Sequence, residues 1–153
     1  MTPIDETDRR ILRLLQANAR ITNAELAERV ALSPSPCWRR VRRLEASGLI
    51  RAYVTLLDPH ALGLDVSVFV RVRIESHREE VVQAFEAAVQ ARPEIVECYR
   101  MTGGTDYLLR VVTSDIAAYD RFLGEVLMHL PGVASMDSGF ALRQVKYTTA
   151  MPL

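Results

Sequence analysis

At 153 residues, 49% hydrophobic and 25% charged, with 19 basic and 19 acidic side chains, the chain has the composition of one ordinary globular domain or two small ones. Charge interrupts every apolar stretch well short of the ~20 residues a membrane helix needs, and "MTPIDETDRR" carries acids where a secretory signal has basic residues. The expectation is a cytoplasmic protein without membrane contact or cofactor, its Cys37 and Cys98 reduced, since their wide separation and lack of CxxC spacing suit neither a metal site nor a disulfide framework.

"IDETDRRILRLLQANAR" opens with acids in what becomes a first helical turn, where they complement the helix dipole, and Asp5 or Thr7 supplies the cap. Ile11, Leu12, Leu14, Leu15 and Ala19 then recur near the 3.6 period and give one apolar face. In "ITNAELAERV", Thr22 and Glu25 stand at capping-box spacing ahead of a second, short helix. Ser33-Pro34 starts a third, with proline tolerated at the first helical position, and Gly48 is placed to end it; the spacing predicts a helix from Pro34 to Ser47.

On that third helix Cys37, Val41 and Leu44 share one face, with Trp38 on its border. Ser35, Arg39, Arg42 and Arg43 project opposite, and Arg40 lies nearer the boundary. A solvated surface helix is the bland reading of such a run. It fits poorly, because the run holds a single acid, Glu45, and no regular Glu-to-Arg ladder. Unpaired guanidinium groups repel one another, and arginine's fork suits phosphate oxygens and the major-groove edge of guanine. Residues 1–62 carry ten arginines against seven acids, while residues 63–153 carry nine basic residues against twelve acids. A basic part joined to an acidic part suggests two tasks, one facing a polyanion.

A short helix, a tight turn and a basic helix make a helix-turn-helix, and "GLIRAYVTLLD" reads as a strand or small wing leading away from it. The stretch from "IDETDRR" through "SPSPCWRRVRRLE" to "GLI" resembles the N-terminal domain of the Lrp/AsnC family of feast/famine regulators. The resemblance implies a double-stranded DNA operator as partner. A working division has Ser35, Arg39 and Arg42 probing base edges while Arg40, Arg43 and Arg51 hold phosphates.

"LDPHALGL" reads as a hinge around Pro59. In "DVSVFVRVRIES", Val66, Val68, Val70, Val72 and Ile74 alternate strictly with Ser67, Phe69, Arg71 and Arg73, which predicts a strand. "HREEVVQAFEAAVQAR" is an amphipathic helix stopped by Pro93, and "EIVECYRMTGGTDYLLRVVT" is strand, turn and strand. "DIAAYDRFLGEVLMHLPGV" is a helix capped by Ser114 or Asp115 and ended by Pro131-Gly132, and a last strand occupies "ASMDSGFALRQVKYTT". The order predicts a ferredoxin-like α+β domain, a four-stranded antiparallel sheet with two helices on one face. The other face exposes Phe69 and the strand arginines, which calls for a partner subunit. The domains read as 1–52, a winged helix-turn-helix; 53–64, a linker strand and hinge; and 65–153, an effector-binding and oligomerisation domain.

"TGGTDYLLRVV", "LPGV" and "VKYTTAMPL" are again similar to the Lrp/AsnC family, here its effector-binding domain. The likeness implies dimers, octamers in many relatives, and an amino-acid effector held near the Gly-x-x-Asp turn. It implies a pocket lined on one side by Met101, Thr102, Gly103, Gly104, Thr105 and Asp106, and on the other by Ser135, Asp137 and Ser138. The glycines equally suit a plain hairpin turn, and the two readings are compatible. Asp106 is the expected acceptor for the effector's ammonium group. Two other classes compete. A sensor without DNA binding would lack the arginine-bearing helix, and a siroheme-decarboxylase-like enzyme would need a catalytic set. His60, His77 and His129 are expected away from the Gly-x-x-Asp turn, Cys37 is expected to be packed, and no paired carboxylates appear, so no enzyme is expected.

Overall fold

Asp5 begins the first helix, α1 (Glu6–Ala17), through a capping box in which Asp5 and Asp8 each accept the other's backbone N–H. Thr22 and Glu25 do the same for α2 (Asn23–Arg29). The third helix, α3 (Pro34–Ala46), has Ser33 at its N-cap, but the hydroxyl makes no capping bond there. Gly48, at φ 75°, ends it as the spacing predicts. Between α2 and α3 the chain turns at Ala31, whose φ of 58° is left-handed although it is not glycine. The N–H of Leu32 reaches the carbonyl of Ala27 and that of Ala31 reaches Glu28, so helix-end carbonyls are satisfied while the chain reverses. Ile11, Leu12, Leu26, Ala27, Val30, Cys37 and Leu44 form the buried core of this unit.

The computed structural model describes residues 4–153, and the chain divides into two units, one holding Met1–Leu56 with Lys146–Leu153 and one holding Leu57–Val145. The second contains β1 (Val66–Ile74), α4 (Glu79–Gln90), β2 (Ile95–Arg100), β3 (Tyr107–Thr113), α5 (Ile116–Glu125) and β4 (Val133–Phe140). The sheet order is β2-β3-β1-β4, antiparallel throughout. Val68, Val70, Val72 and Ile74 of β1 pack against Val82, Phe85 and Val89 of α4 and Tyr119 and Phe122 of α5. The ferredoxin-like arrangement read from the element order is therefore the fold. Among the described residues no helix is long and apolar enough to cross a membrane.

Three boundaries differ from the sequence reading. Residues 51–58 form no strand, although their composition favours one, because a strand needs a ladder partner and the described residues offer none. The helix drawn to Pro131 stops at Glu125 and is followed by a separate 3-10 turn at Leu127–His129. The last strand ends at Phe140 instead of running to residue 149: Phe140 faces Val68 near the start of β1, and the N–H of Ala141 to Ser67 O is the final bond. Beyond it, residues 146–153 lie with the first unit rather than with the domain 65–153. There Gln16 of α1 both accepts from Met151 N and donates to Met151 O, and Arg13 donates to Leu153 O.

Candidate functional site

The exposed face of α3 follows from its buried one. Cys37 and Leu44 are fully buried and point into the three-helix core, so Ser35, Arg39 and Arg42 face outward and are exposed. Arg39 has no ion pair among the described residues. Arg42 donates to Glu45, one turn along, at 2.9 Å, and Glu45 also accepts from the Tyr53 hydroxyl at 3.1 Å. The Arg42–Glu45 pair is solvated and worth ~0–1 kcal/mol, so a stronger anion can displace it. Arg51 is exposed as well.

Arg40 and Arg43 are different, and the expectation of a wholly unpaired arginine face is corrected here. Arg40 Nη1 lies 2.9 Å from Asp8 Oδ1 and 2.6 Å from Asp5 Oδ2, and Arg43 Nη2 lies 2.5 Å from Asp8 Oδ2. Asp8 is fully buried, so its charge is answered by the two arginines and the α1 cap. The N–H of Asp8, and after it Arg40, hold the Asp5 carboxyl below its usual range, while Asp5 and then Asp8 raise Arg40. Two of the five helix-borne or flanking arginines assigned to DNA therefore clamp α3 to α1. Composition alone marks Asp8 only as a dipole-complementing acid. Its place three and four residues before Ile11 and Leu12, on the apolar face, was the available signal.

In the second unit, residues 101–106 join β2 to β3 and close with Met101 N donating to Asp106 O. Met101, Thr102, Gly103 and Gly104 are exposed, Thr105 is half-buried, and Gly103 has a φ of 100° that a side chain would strain. The loop is pinned to the end of β1. Arg73 Nε donates to Gly104 O at 2.6 Å, and Asp106 Oδ2 accepts the N–H of Ile74 at 2.9 Å. Asp106 Oδ1 is 3.5 Å from His77 Nε2, so the expectation that no histidine approaches the Gly-x-x-Asp turn is overturned. The chain after β1 turns back over its own end and carries His77 there, which element order alone did not reveal.

The other proposed wall divides. Ser135 and Asp137 face the open side of the sheet opposite Arg73 and Arg71, and Arg71 pairs with Asp137 at 2.8 Å. Ser138 faces the helices instead, its hydroxyl 2.6 Å from that of Tyr119, and is corrected from a pocket residue to a packing one. Neighbours in a strand point to opposite faces, so Asp137 and Ser138 cannot line one wall together. Arg73 and His77 are the side chains the sequence reading missed at this loop.

Replacing Asp106 by alanine is expected to lower the stability of this unit by about 1–3 kcal/mol, because the N–H of the buried Ile74 loses its acceptor. Asp106→Asn keeps a carbonyl oxygen for that N–H and should recover most of the loss in thermal unfolding. Equal melting temperatures for Asp106→Ala and the native chain would remove the structural role.

Comparison with known proteins places both units. A model of the winged helix-turn-helix DNA-binding class matches residues 4–51, and the model of the Lrp/AsnC ligand binding domain matches residues 67–151. The leucine-responsive regulatory protein of Salmonella typhimurium is 43% identical over 148 residues, 97% of this chain and 90% of that protein. The DNA-binding transcriptional activator DecR of Escherichia coli is 39% identical over 150 residues, 98% of this chain and 99% of that one. Among solved structures, a transcriptional regulator from Neisseria meningitidis in complex with L-Met superposes with a TM-score of 0.93 at 43% identity, over 98% of this chain and 97% of the other.

Proposed function

The chain belongs to the Lrp/AsnC family, and from that membership we infer that it is a DNA-binding transcription regulator whose operator binding responds to a small amino acid. It is not an enzyme: its relatives are transcription regulators. The observation that carries the DNA reading is the exposed face of Ser35, Arg39 and Arg42 on α3, on the side away from the buried Cys37 and Leu44. We assign Ser35, Arg39 and Arg42 to base edges and Arg51 to phosphate. Arg40 and Arg43 hold the helix that presents them. Work on operator DNA puts the protein in the cytoplasm.

The regulator acts as a homo-oligomer of at least two chains. Phe69 stays 39% exposed on the open sheet face, and the register puts Tyr99, Leu108 and Val112 on the same face, an apolar strip that a second copy covers. A two-fold dimer reads two half-sites about one helical turn, ~34 Å, or a multiple of it apart. Selection of bound fragments from a random duplex library is expected to enrich such pseudo-palindromes. A pool with no enriched sequence would overturn the specific reading, and affinity that did not fall with salt would overturn DNA binding altogether.

The effector is assigned to the loop 101–106 with Ser135. Because Asp106 is engaged by Ile74 N–H and His77, the loop meets a zwitterion with Arg73 and bare backbone N–H groups on its carboxylate side. An amino acid that binds only the folded chain at about 100 times its dissociation constant adds about 2.7 kcal/mol, so thermal-shift screening of the twenty amino acids identifies it.

A further inference from the structure

The sensor unit contains a second concavity, away from the open sheet face and sharing no residue with the 101–106 loop. It is a cleft of about 320 Å³ lined by Glu86, Val89, Gln90, Cys98, Arg100 and Tyr107, at the small end of the ~300–1,000 Å³ typical of ligand sites. Three elements build it. Glu86, Val89 and Gln90 are three and four residues apart on α4 and share a face. Cys98 and Arg100 alternate on β2, facing the helix-covered side with Leu109 and Tyr107 as their partners across the ladder. Tyr107 forms the floor, wholly buried, with its ring 4.6 Å from that of Phe85. The hollow exists because β2 is an edge strand that offers a small thiol and an outward-reaching arginine where larger apolar side chains would fill the space.

The polar groups around it satisfy one another only in part. The Tyr107 hydroxyl donates to Glu86 Oε1 at 2.7 Å, which fixes that carboxylate at the wall. Among the described residues the other Glu86 oxygen has no hydrogen-bond partner, and the Arg100 guanidinium has neither an ion pair nor a hydrogen bond. Desolvation, and after it Glu86, push the Cys98 thiol up, and burial followed by Glu86 pushes Tyr107 up to about 12, so both groups are neutral near pH 7. The cleft thus presents one fixed anion, one cation, and a strip of Val89 and Cys98 between them.

We propose that this cleft is a second ligand site of the sensor unit, for a free α-amino acid whose ammonium meets Glu86, whose carboxylate meets Arg100 and whose short side chain lies on Val89 and Cys98. Opposite charges on two elements of one small hollow match a zwitterion and reject simple anions and cations, which would each meet one like charge. The site does not depend on where the first effector binds.

Cys98 reports on it directly, because it is exposed while Cys37 is buried. The full chain is alkylated with iodoacetamide at mildly alkaline pH, with and without each of the twenty amino acids, and Cys98 modification is followed by mass spectrometry. At ten times its dissociation constant a ligand in the cleft slows alkylation by about tenfold. Arg100→Ala and Glu86→Gln, each checked for native circular dichroism, should raise the protecting concentration by about tenfold or more, since each removes a charge-assisted hydrogen bond. Arg100→Lys should restore part of the loss, and Asp106→Asn should leave protection unchanged. The proposal fails if no amino acid protects Cys98, or if protection survives Arg100→Ala. It fails equally if Asp106→Asn abolishes protection, which would assign the effect to the loop instead.

Discussion

Asp8→Ala is expected to destabilise the N-terminal unit by about 2–4 kcal/mol, more than any other single polar change there, from loss of a cap at ~1 kcal/mol and of charge-assisted bonds at ~1.5–3 kcal/mol. The side chain is fully buried and receives Arg40, Arg43 and the N–H of Asp5. Breaking a buried ion pair usually costs about 3–5 kcal/mol because the survivor is stranded without water. Here the survivors retain solvent, Arg40 at 29% and Arg43 at 47% side-chain exposure, so they rehydrate and the loss falls toward the lower end. The measurement is urea unfolding followed by Trp38, the one tryptophan of the chain, which sits on α3 and reports this unit. With a slope of about 1–2 kcal/mol/M, the midpoint should fall by about 1–4 M at unchanged slope. Asp8→Asn should be nearly as damaging, because its amide nitrogen sets a donor against an arginine. An unchanged midpoint in both variants would mean that Asp8 is an incidental cap. Asp5 adds a pH dependence of the same origin. Its carboxyl is held below the ordinary range, so its contribution is present near neutrality and is lost as the pH falls through the depressed value.

Arg39→Ala/Arg42→Ala should be the most damaging pair for operator binding and should leave the fold intact. Each arginine, if it makes a bidentate contact with a base, contributes about 1–3 kcal/mol, a loss of about 5- to 150-fold per substitution. Because the two are one turn apart on the same face, their effects need not add. Neither anchors the helix: Arg39 is exposed without a partner among the described residues, and the Arg42 pair with Glu45 is solvated. The unfolding free energy of the double variant in urea should therefore stay within about 0.5 kcal/mol of native, as surface changes do. Anisotropy titrations against the selected operator and a scrambled duplex should show the two affinities converging. Arg51→Ala should instead weaken both duplexes alike and make the salt slope shallower. Arg43→Ala offers the contrast, since it should lower the unfolding midpoint along with DNA affinity. A double variant that still prefers the operator as strongly as the native chain would move base readout off this face.

Some of this was legible along the chain. The capping box of Thr22 and Glu25, the stop at Gly48, the alternation through β1 and the breaker at Pro93 each act within a few residues, so propensity and periodicity report them directly. The outward direction of Ser35, Arg39 and Arg42 was equally local, a matter of 100° per residue measured from Cys37 and Leu44. The opposite orientations of Asp137 and Ser138 were local too, and strand alternation applied to β4 separates them.

What the sequence by itself determined is the set of elements, the order that makes a ferredoxin-like sheet, and a recognition helix with a basic outer face. Only the tertiary structure decided which arginines on that helix are free for DNA. Arg40 and Arg43 meet Asp8 across separations of 32 and 35 residues. The same holds for Asp106, engaged by Ile74 and His77, and for residues 51–58 and 141–149, where strand-forming composition found no ladder partner. The physical reason is common to all of them. Helix and turn formation are set by neighbours in the chain, whereas an ion pair, a ladder or a pocket wall exists only where packing brings distant groups within a few ångströms.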